Sequence, residues 1–391
     1  MSATSRGQGD RFETLAVHAG AEPDPHTGAV VPAIQMSTTF KQDGVGGLRS
    51  GFEYGRSGNP TRLALEATIA ALEGATHGLA YASGLAATQN LLYLLDPGDR
   101  LLMSDDVYGG TWRLADKVWR RYGIETDTID LCDLAAVEAA MSAGKAPRMV
   151  WIETPSNPLL KVIDISSVAR LAADVGALTV VDNTFATPYL QQPLELGADL
   201  ALHSATKYLG GHSDVIGGLV ATRSDELAEQ LRFHQNAAGA VPSPFDCFLV
   251  MRGIRTLAVR MERACTSAAA LAAWLTERSE VSAVHYPGLP GHPAHELVER
   301  QMRLPGAMLS FELHDGEARA RSLAAATRLF TLAESLGAVE SLIEMPAPMT
   351  HASVEGSALA VPPSLVRLSV GIEALDDLRE DLDLAFSASA Q

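Results

Sequence analysis

Lys207 directly follows Thr206 and lies three residues past Ser204, in the run His203-Ser204-Ala205-Thr206-Lys207-Tyr208-Leu209-Gly210-Gly211-His212. A solvated surface amine is the ordinary reading of a single lysine. These neighbours are instead small, hydroxylic or apolar. An amine kept from water loses proton affinity and becomes competent for Schiff-base chemistry. The hydroxyls of Ser204 and Thr206 are suited to bonding a phosphate close by. Asp182 closes the apolar run Thr179-Val180-Val181 and is followed by Asn183-Thr184. A carboxylate there is costly without a cationic or hydrogen-bonding partner. A turn-forming aspartate is one reading. The other is a partner for a pyridine nitrogen, kept protonated so that the ring accepts a carbanion's electrons. A third segment, Tyr81-Ala82-Ser83-Gly84-Leu85-Ala86-Ala87, is a small-residue turn opening a helix. Its free N–H groups around Gly84 and Leu85 form an anion site, unless Ser83 is simply an N-cap. Each segment is weak alone. Found along one α/β pattern, in the chain order 81–87, 179–184 and 203–212, they are strong together.

The elements that must hold these residues follow from the apolar pattern. Residues 1–60 read as an extended arm rich in Gly, Pro and polar residues. From Thr61, Leu63, Leu65, Ile69 and Leu72 recur at helical spacing behind Pro60, a tolerated first-turn proline. Short apolar runs then predict buried strands at Arg100–Met103, Met149–Ile152, Leu178–Val181, Leu200–Leu202 and Ile216–Ala221. Helices are predicted between them at Thr111–Tyr122, Leu134–Ala143 and Ile165–Val175. Such alternation implies an α/β fold with a mainly parallel sheet covered on both faces, where ligands sit beyond the strands' carboxyl ends. After about residue 250 the pattern changes to a helix at Ala258–Leu275, strands at Val281–His285, Ala307–Leu313 and Leu365–Val370, and a closing helix near Leu375–Ala385. That reads as a smaller α+β domain. The domain expectation is an arm at 1–60, a large cofactor-binding domain at 61–250 and a C-terminal domain at 251–391.

Bulk properties exclude several classes. A net charge of −17 without a basic patch argues against nucleic acid as a partner. The apolar runs fall short of the ~18 residues a membrane span needs. The polar start, Met1 to Asp10, lacks the apolar stretch of a signal peptide. Cys132, Cys247 and Cys265 are widely spaced, implying a reducing, cytoplasmic setting and no metal cluster. His292-Pro293-Ala294-His295-Glu296 looks metal-like but lacks a third ligand, and reads as a loop opening a helix.

The chain resembles the pyridoxal-phosphate-dependent enzymes of cysteine and methionine metabolism over nearly its whole length. The resemblance rests on Tyr54-Gly55-Arg56-Ser57-Gly58-Asn59-Pro60-Thr61-Arg62, Asp105-Asp106-Val107-Tyr108-Gly109-Gly110-Thr111, Glu153-Thr154-Pro155-Ser156-Asn157-Pro158, Ser204-Ala205-Thr206-Lys207 and Arg367-Leu368-Ser369-Val370-Gly371-Ile372-Glu373. It implies the aspartate-aminotransferase-like architecture called fold type I. It also implies Lys207 as the Schiff-base and proton-shuttling residue, and Tyr108 as the ring-stacking group that also deprotonates the incoming amine. Gly84, Leu85, Ser204 and Thr206 become the phosphate cradle. Asp182, with Thr184 beside it, becomes the partner of the ring nitrogen. Tyr54 and Arg56 are implied to reach a neighbouring subunit's phosphate in a dimer of dimers. Asn157, Ser341 and Arg367 are implied to hold the substrate α-carboxylate.

Glu53 and Glu340 resemble the contacts to the distal ammonium of cystathionine, and Arg113 also matches a substrate position. Gly110 stands where methionine γ-lyases usually carry cysteine. The expected reaction is therefore γ-elimination on L-cystathionine, giving cysteine, 2-oxobutanoate and ammonia. The alternative is γ-replacement of an O-acyl-homoserine by cysteine. Methionine γ-elimination and a non-catalytic family member also remain. A nucleotide-binding protein lacks support, since neither a Walker lysine motif nor a Gly-x-Gly-x-x-Gly turn is present.

Overall fold

The structure is a computed structural model that describes residues 9–350 and 360–389. Seven strands make the larger sheet: β1 (His77–Tyr81), β2 (Arg100–Ser104), β3 (Glu125–Ile129), β4 (Met149–Glu153), β5 (Leu178–Asp182), β6 (Leu200–Ser204) and β7 (Gly218–Thr222). Their order is β1-β7-β6-β5-β4-β2-β3. β7 runs antiparallel to β1 and β6, while the remaining pairs are parallel. Every residue of β4 and β7 is buried, as expected of strands with helices on both faces.

Two strands of this sheet were not predicted. β3, Glu-Thr-Asp-Thr-Ile, is an edge strand with mostly polar, half-exposed residues, so no apolar run marks it. β1 begins His77-Gly78 close behind a helix and is equally short. The helix predicted at 111–122 is broken into an α segment Gly109–Arg113, a wide-turned π segment Leu114–Val118 and a 3-10 turn Trp119–Tyr122. The helix carrying Leu63, Leu65, Ile69 and Leu72 spans Pro60–Leu72, with Pro60 in its first turn as expected. There Asn59 accepts hydrogen bonds from the N–H groups of Thr61 and Arg62.

A second sheet follows: β8 (Val281–His285), β9 (Met308–Leu313), β10 (Thr331–Leu332), β11 (Leu342–Glu344) and β12 (Leu365–Ser369). Its order is β10-β11-β12-β9-β8, antiparallel except for β10 with β11. β10 and β11, with two and three residues, are too short to leave a period in the sequence. The helix Leu257–Thr276 serves both cores. Leu257, Met261 and Ala264 pack with the large-sheet residues, and Ala268, Leu271 and Leu275 pack with the second sheet. No helix among the described residues is long and apolar enough to cross a membrane.

Side chains alternate across a strand, and the chain uses this at the ends of β5 and β6. Asp182 and Ser204 face a cleft at the strands' carboxyl ends. Their neighbours Asn183 and His203 point behind the sheet to the buried Glu73. Glu73 Oε1 lies 2.6 Å from His203 Nε2 and accepts from Asn183 Nδ2 at 3.3 Å. This carboxylate therefore clamps both strands from behind. Glu73→Leu removes the His203 Nε2 partner and one of the two acceptors of Asn183 Nδ2, leaving the Gln191 carbonyl at 2.8 Å as the other. It is expected to cost on the order of 3 kcal/mol. Urea unfolding followed by circular dichroism checks this, and an unchanged midpoint contradicts the clamp.

Candidate active site

The cleft encloses a cavity of about 290 Å³ between the strand ends of the large sheet and the loops of the second. β4, β5 and β6 deliver Glu153, Asp182 and Ser204 to its floor. Asp182 is buried, and burial raises its pKa against the opposing effect of Thr184. Thr184 donates its hydroxyl at 2.5 Å and its N–H at 3.1 Å, both to Oδ1. The same hydroxyl accepts the Ser204 N–H at 2.8 Å, so neighbouring strand ends orient the carboxylate. Glu153, the register partner of Asp182, is pushed well above the usual carboxyl range by burial and by the Asp182 charge. It accepts the Tyr108 N–H at 2.8 Å and so fixes the backbone that carries the tyrosine.

Lys207 sits in the loop after β6, with Nζ donating to Ser335 Oγ at 2.7 Å. Burial first, and the Arg367 charge second, lower its pKa to about 8. Ser335 has a positive φ of 98°, unfavourable for a residue with a side chain, and its carbonyl accepts Arg367 Nη2 at 3.0 Å. Arg367 Nη1 donates to Asn157 Oδ1 at 2.8 Å. The Tyr108 phenol is raised by partial burial, which the Arg113 charge opposes. A Cβ on Gly110 would stand 2.4 Å from the Tyr108 ring, so any side chain there must displace it.

The helix Gly84–Leu92 opens against Ser204, with Gly84 and Leu85 on the cavity wall and Ser83 capping Ala86 N–H at 3.0 Å. Ser83 is thus an N-cap and a wall residue together. A Cβ on Gly84 would come within 3.0 Å of the Ser204 side chain, so glycine keeps this cradle open. Thr206 lines the same end, and Gly217 N–H donates to its hydroxyl at 3.1 Å.

Tyr108, Gly84, Leu85, Asn157, Asp182, Thr184, Ser204, Thr206, Lys207 and Arg367 are thereby brought together on one cavity. Six other expected residues lie off its wall: Glu53, Tyr54, Arg56, Arg113, Glu340 and Ser341. Tyr54 is 44% exposed, and Arg56 Nη1 donates to Asn236 O at 2.5 Å. The Ser213 hydroxyl donates to Glu340. Ser341 donates its hydroxyl to Glu373 Oε2 at 2.9 Å and accepts Gly371 N–H at the same distance. The cavity instead takes Glu334 and Ser335. The chain contains two Glu-Ser-Leu triplets, Glu334–Leu336 and Glu340–Leu342, and only the repetition itself signals that the first deserves equal weight. Glu344 and Thr350 were also missed.

The profile of the Cys/Met metabolism PLP-dependent enzyme family matches residues 13–387. The chain belongs to that family. A cystathionine gamma-synthase of Mycobacterium tuberculosis (strain ATCC 25618 / H37Rv) is 56% identical over 373 residues, 95% of this chain and 96% of that one. A cystathionine beta-lyase of Coxiella burnetii (strain RSA 493 / Nine Mile phase I) is 50% identical over 379 residues, covering 96% of this chain and 97% of the relative. The structure of cystathionine gamma-lyase from Lactobacillus plantarum complexed with L-serine superposes with a TM-score of 0.94 at 44% identity, covering 97% of this chain and 100% of that one. The fold is that of the type I enzymes, and the cofactor is pyridoxal phosphate.

The residues present fit that group. A buried carboxylate raised by desolvation calls for a cation, which a protonated ring nitrogen provides at Asp182. Gly84, Leu85, Ser204 and Thr206 suit its phosphate. The lowered Lys207 pKa, about 8, makes the neutral amine far more available near neutral pH than that of an ordinary lysine. Competitive acetylation of the apoprotein, read by mass spectrometry, is expected to give Lys207 an inflection near pH 8. Arg367→Leu removes a repelling charge and should move that inflection up. An inflection in the range of surface lysines contradicts the account.

Proposed function

We propose that the chain makes or breaks the Cγ–S bond of cystathionine. The observation that carries this reading is a partly buried amine of lowered pKa, Lys207, sharing one cleft with the buried carboxylate Asp182 and the buried guanidinium Arg367. Pyridoxal phosphate, when bound, supplies an electron sink for negative charge at Cα. Arg367 and Asn157 orient the substrate α-carboxylate, placing Cα and Cβ within reach of the Lys207 amine. That amine takes the proton from Cα, releases it, and is then free to take one from Cβ. As the Cβ–H electrons form the Cβ–Cγ double bond, the sulfur leaves with the Cγ–S pair and is protonated as a thiol. Tyr108, whose backbone Glu153 pins, lines the same cavity and is proposed to stack on the cofactor ring. Tyr54 and Arg56, exposed in the single chain, are proposed to complete the phosphate site of a second copy.

Two directions remain within this reading. γ-Elimination, the expectation from the motifs, releases cysteine and 2-oxobutanoate from cystathionine; the L. plantarum neighbour carries that name. γ-Replacement joins cysteine to an O-acyl-homoserine. The higher identity to the M. tuberculosis protein named gamma-synthase supports it as well. The same residues serve both, because only the group that ends the turnover differs.

Product analysis tests the proposal. Purified holoenzyme given cystathionine is expected to release 2-oxobutanoate and cysteine, and given O-succinylhomoserine with cysteine to form cystathionine. The larger kcat/KM names the main direction. Pyruvate and homocysteine as main products from cystathionine would overturn the γ-carbon reading. Glu53 and Glu340 are proposed to hold the distal ammonium. Charged hydrogen bonds contribute about 1.5–3 kcal/mol, so Glu53→Val or Glu340→Val should lower kcat/KM for cystathionine roughly 10- to 100-fold. Activity on methionine should hold or rise; equal losses for both substrates refute the ammonium role.

A further inference from the structure

Arg367 does not wait in the cleft as an uncompensated cation. Its Nη2 lies 3.0 Å from Glu344 Oε2, and the two side chains are 2% and 1% exposed. The residues are directly opposite each other on antiparallel β11 and β12, so the pairing is set by strand register and not by a mobile loop. Thr350, on the cavity wall, donates its hydroxyl to Glu344 Oε1 at 2.8 Å. Glu344 itself stands behind the guanidinium, off the wall. The charge at this end of the cleft is therefore already balanced within the chain.

We propose that Glu344 is the positioning residue that sets this balance, ionised against Arg367 in the empty cleft and taking one proton from solvent when an anionic carboxylate docks on that guanidinium. The proposal rests on the reading of Arg367 as the substrate-carboxylate group. Its physical basis is like-charge repulsion. Two carboxylates sharing one buried guanidinium leave a net negative charge out of water, and protonating one of them removes it. Glu344 is poised for this, since burial already raises its pKa against the pull of Arg367 and the Thr350 hydroxyl. The other charged groups facing the pair push both ways. Glu334, after β10, raises Glu344, while Lys207, after β6, lowers it. Glu153 on β4 acts on Arg367, and the phenol of Tyr108 faces Glu344 and Glu153. A docked carboxylate adds to the negative side, and Glu344 takes the proton because it is the carboxylate on the same guanidinium. The cleft thus accepts an amino acid's carboxylate without accumulating charge.

Butyrate, a carboxylate with no amine to react, is the probe. Isothermal titration of the holoenzyme between pH 6 and 8, in buffers of different ionisation enthalpy, counts the protons bound with it. The wild type is expected to take up as much as one proton per butyrate. Its Kd should rise with pH, approaching tenfold per unit where Glu344 is ionised in the empty site. Glu344→Gln should still bind butyrate but show neither proton uptake nor that slope. A structural role alone would change affinity without changing the proton count. Absence of uptake by the wild type across this range, or its persistence in E344Q, overturns the proposal. If E344Q does not fold, the wild-type proton count and slope decide. Arg367→Leu separates the underlying reading: it should abolish binding, and butyrate binding at wild-type strength in R367L overturns the carboxylate role of Arg367 itself.

Discussion

Charge taken out of water at the carboxyl ends of β4, β5 and β6 governs how the rest of the cleft is arranged. Glu153 and Asp182 are register partners and both are buried, so the charge on Asp182 makes ionising Glu153 harder. The chain meets this cost with hydrogen-bond donors: the Thr184 hydroxyl and N–H on Asp182, and the Tyr108 N–H on Glu153. Burial acts on Lys207 with the opposite sign, driving its proton off. Every titratable group on the floor is thereby moved towards its neutral form. A nucleophilic amine and a carboxylate in need of a cation are two results of one desolvated site.

The larger sheet supplies the amine and the carboxylates, and the second sheet supplies Arg367 with the strained Ser335. Ser335 joins them, since its hydroxyl meets Lys207 and its carbonyl meets Arg367. Catalytic geometry in this cleft is consequently a property of how two sheets are seated against each other. Glu73 holds the strands of one from behind, and the β11–β12 register aligns the charged pair of the other.

Much of this was legible from residues alone, for identifiable reasons. β4, β5 and β6 are largely apolar runs that turn polar at their carboxyl ends, so those ends and the chemistry there could be located. Lys207 and Asp182 stood out because polar groups there contradict their surroundings. β3 was not legible because an edge strand needs no apolar face, and β10 and β11 because a few residues carry no period. Ser335 was missed in favour of Ser341 because the two Glu-Ser-Leu triplets are identical locally; only the fold distinguishes the one that turns into the cleft. Glu344 was invisible for a different reason. A glutamate in a short apolar strand reads as a strand end until its cross-strand partner, twenty-three residues later, is known to be an arginine. The positions of Glu53, Tyr54 and Arg56 off the wall follow from their place in an arm that packs away from its own chain's cavity.

The helix Leu257–Thr276 has a bearing on how such chains can be recombined. Its first half carries side chains for one core and its second half for the other, with the changeover between Cys265 and Ala268. The two sheets are therefore not interchangeable parts. A crossover placed before Leu257 or after Thr276 brings in a helix matched to only one of the cores it must fill. Joining the halves of two relatives inside the helix, at the changeover, lets each core keep its own facing residues. The sensible seam for building chimeras is the middle of the longest helix and not the loops on either side.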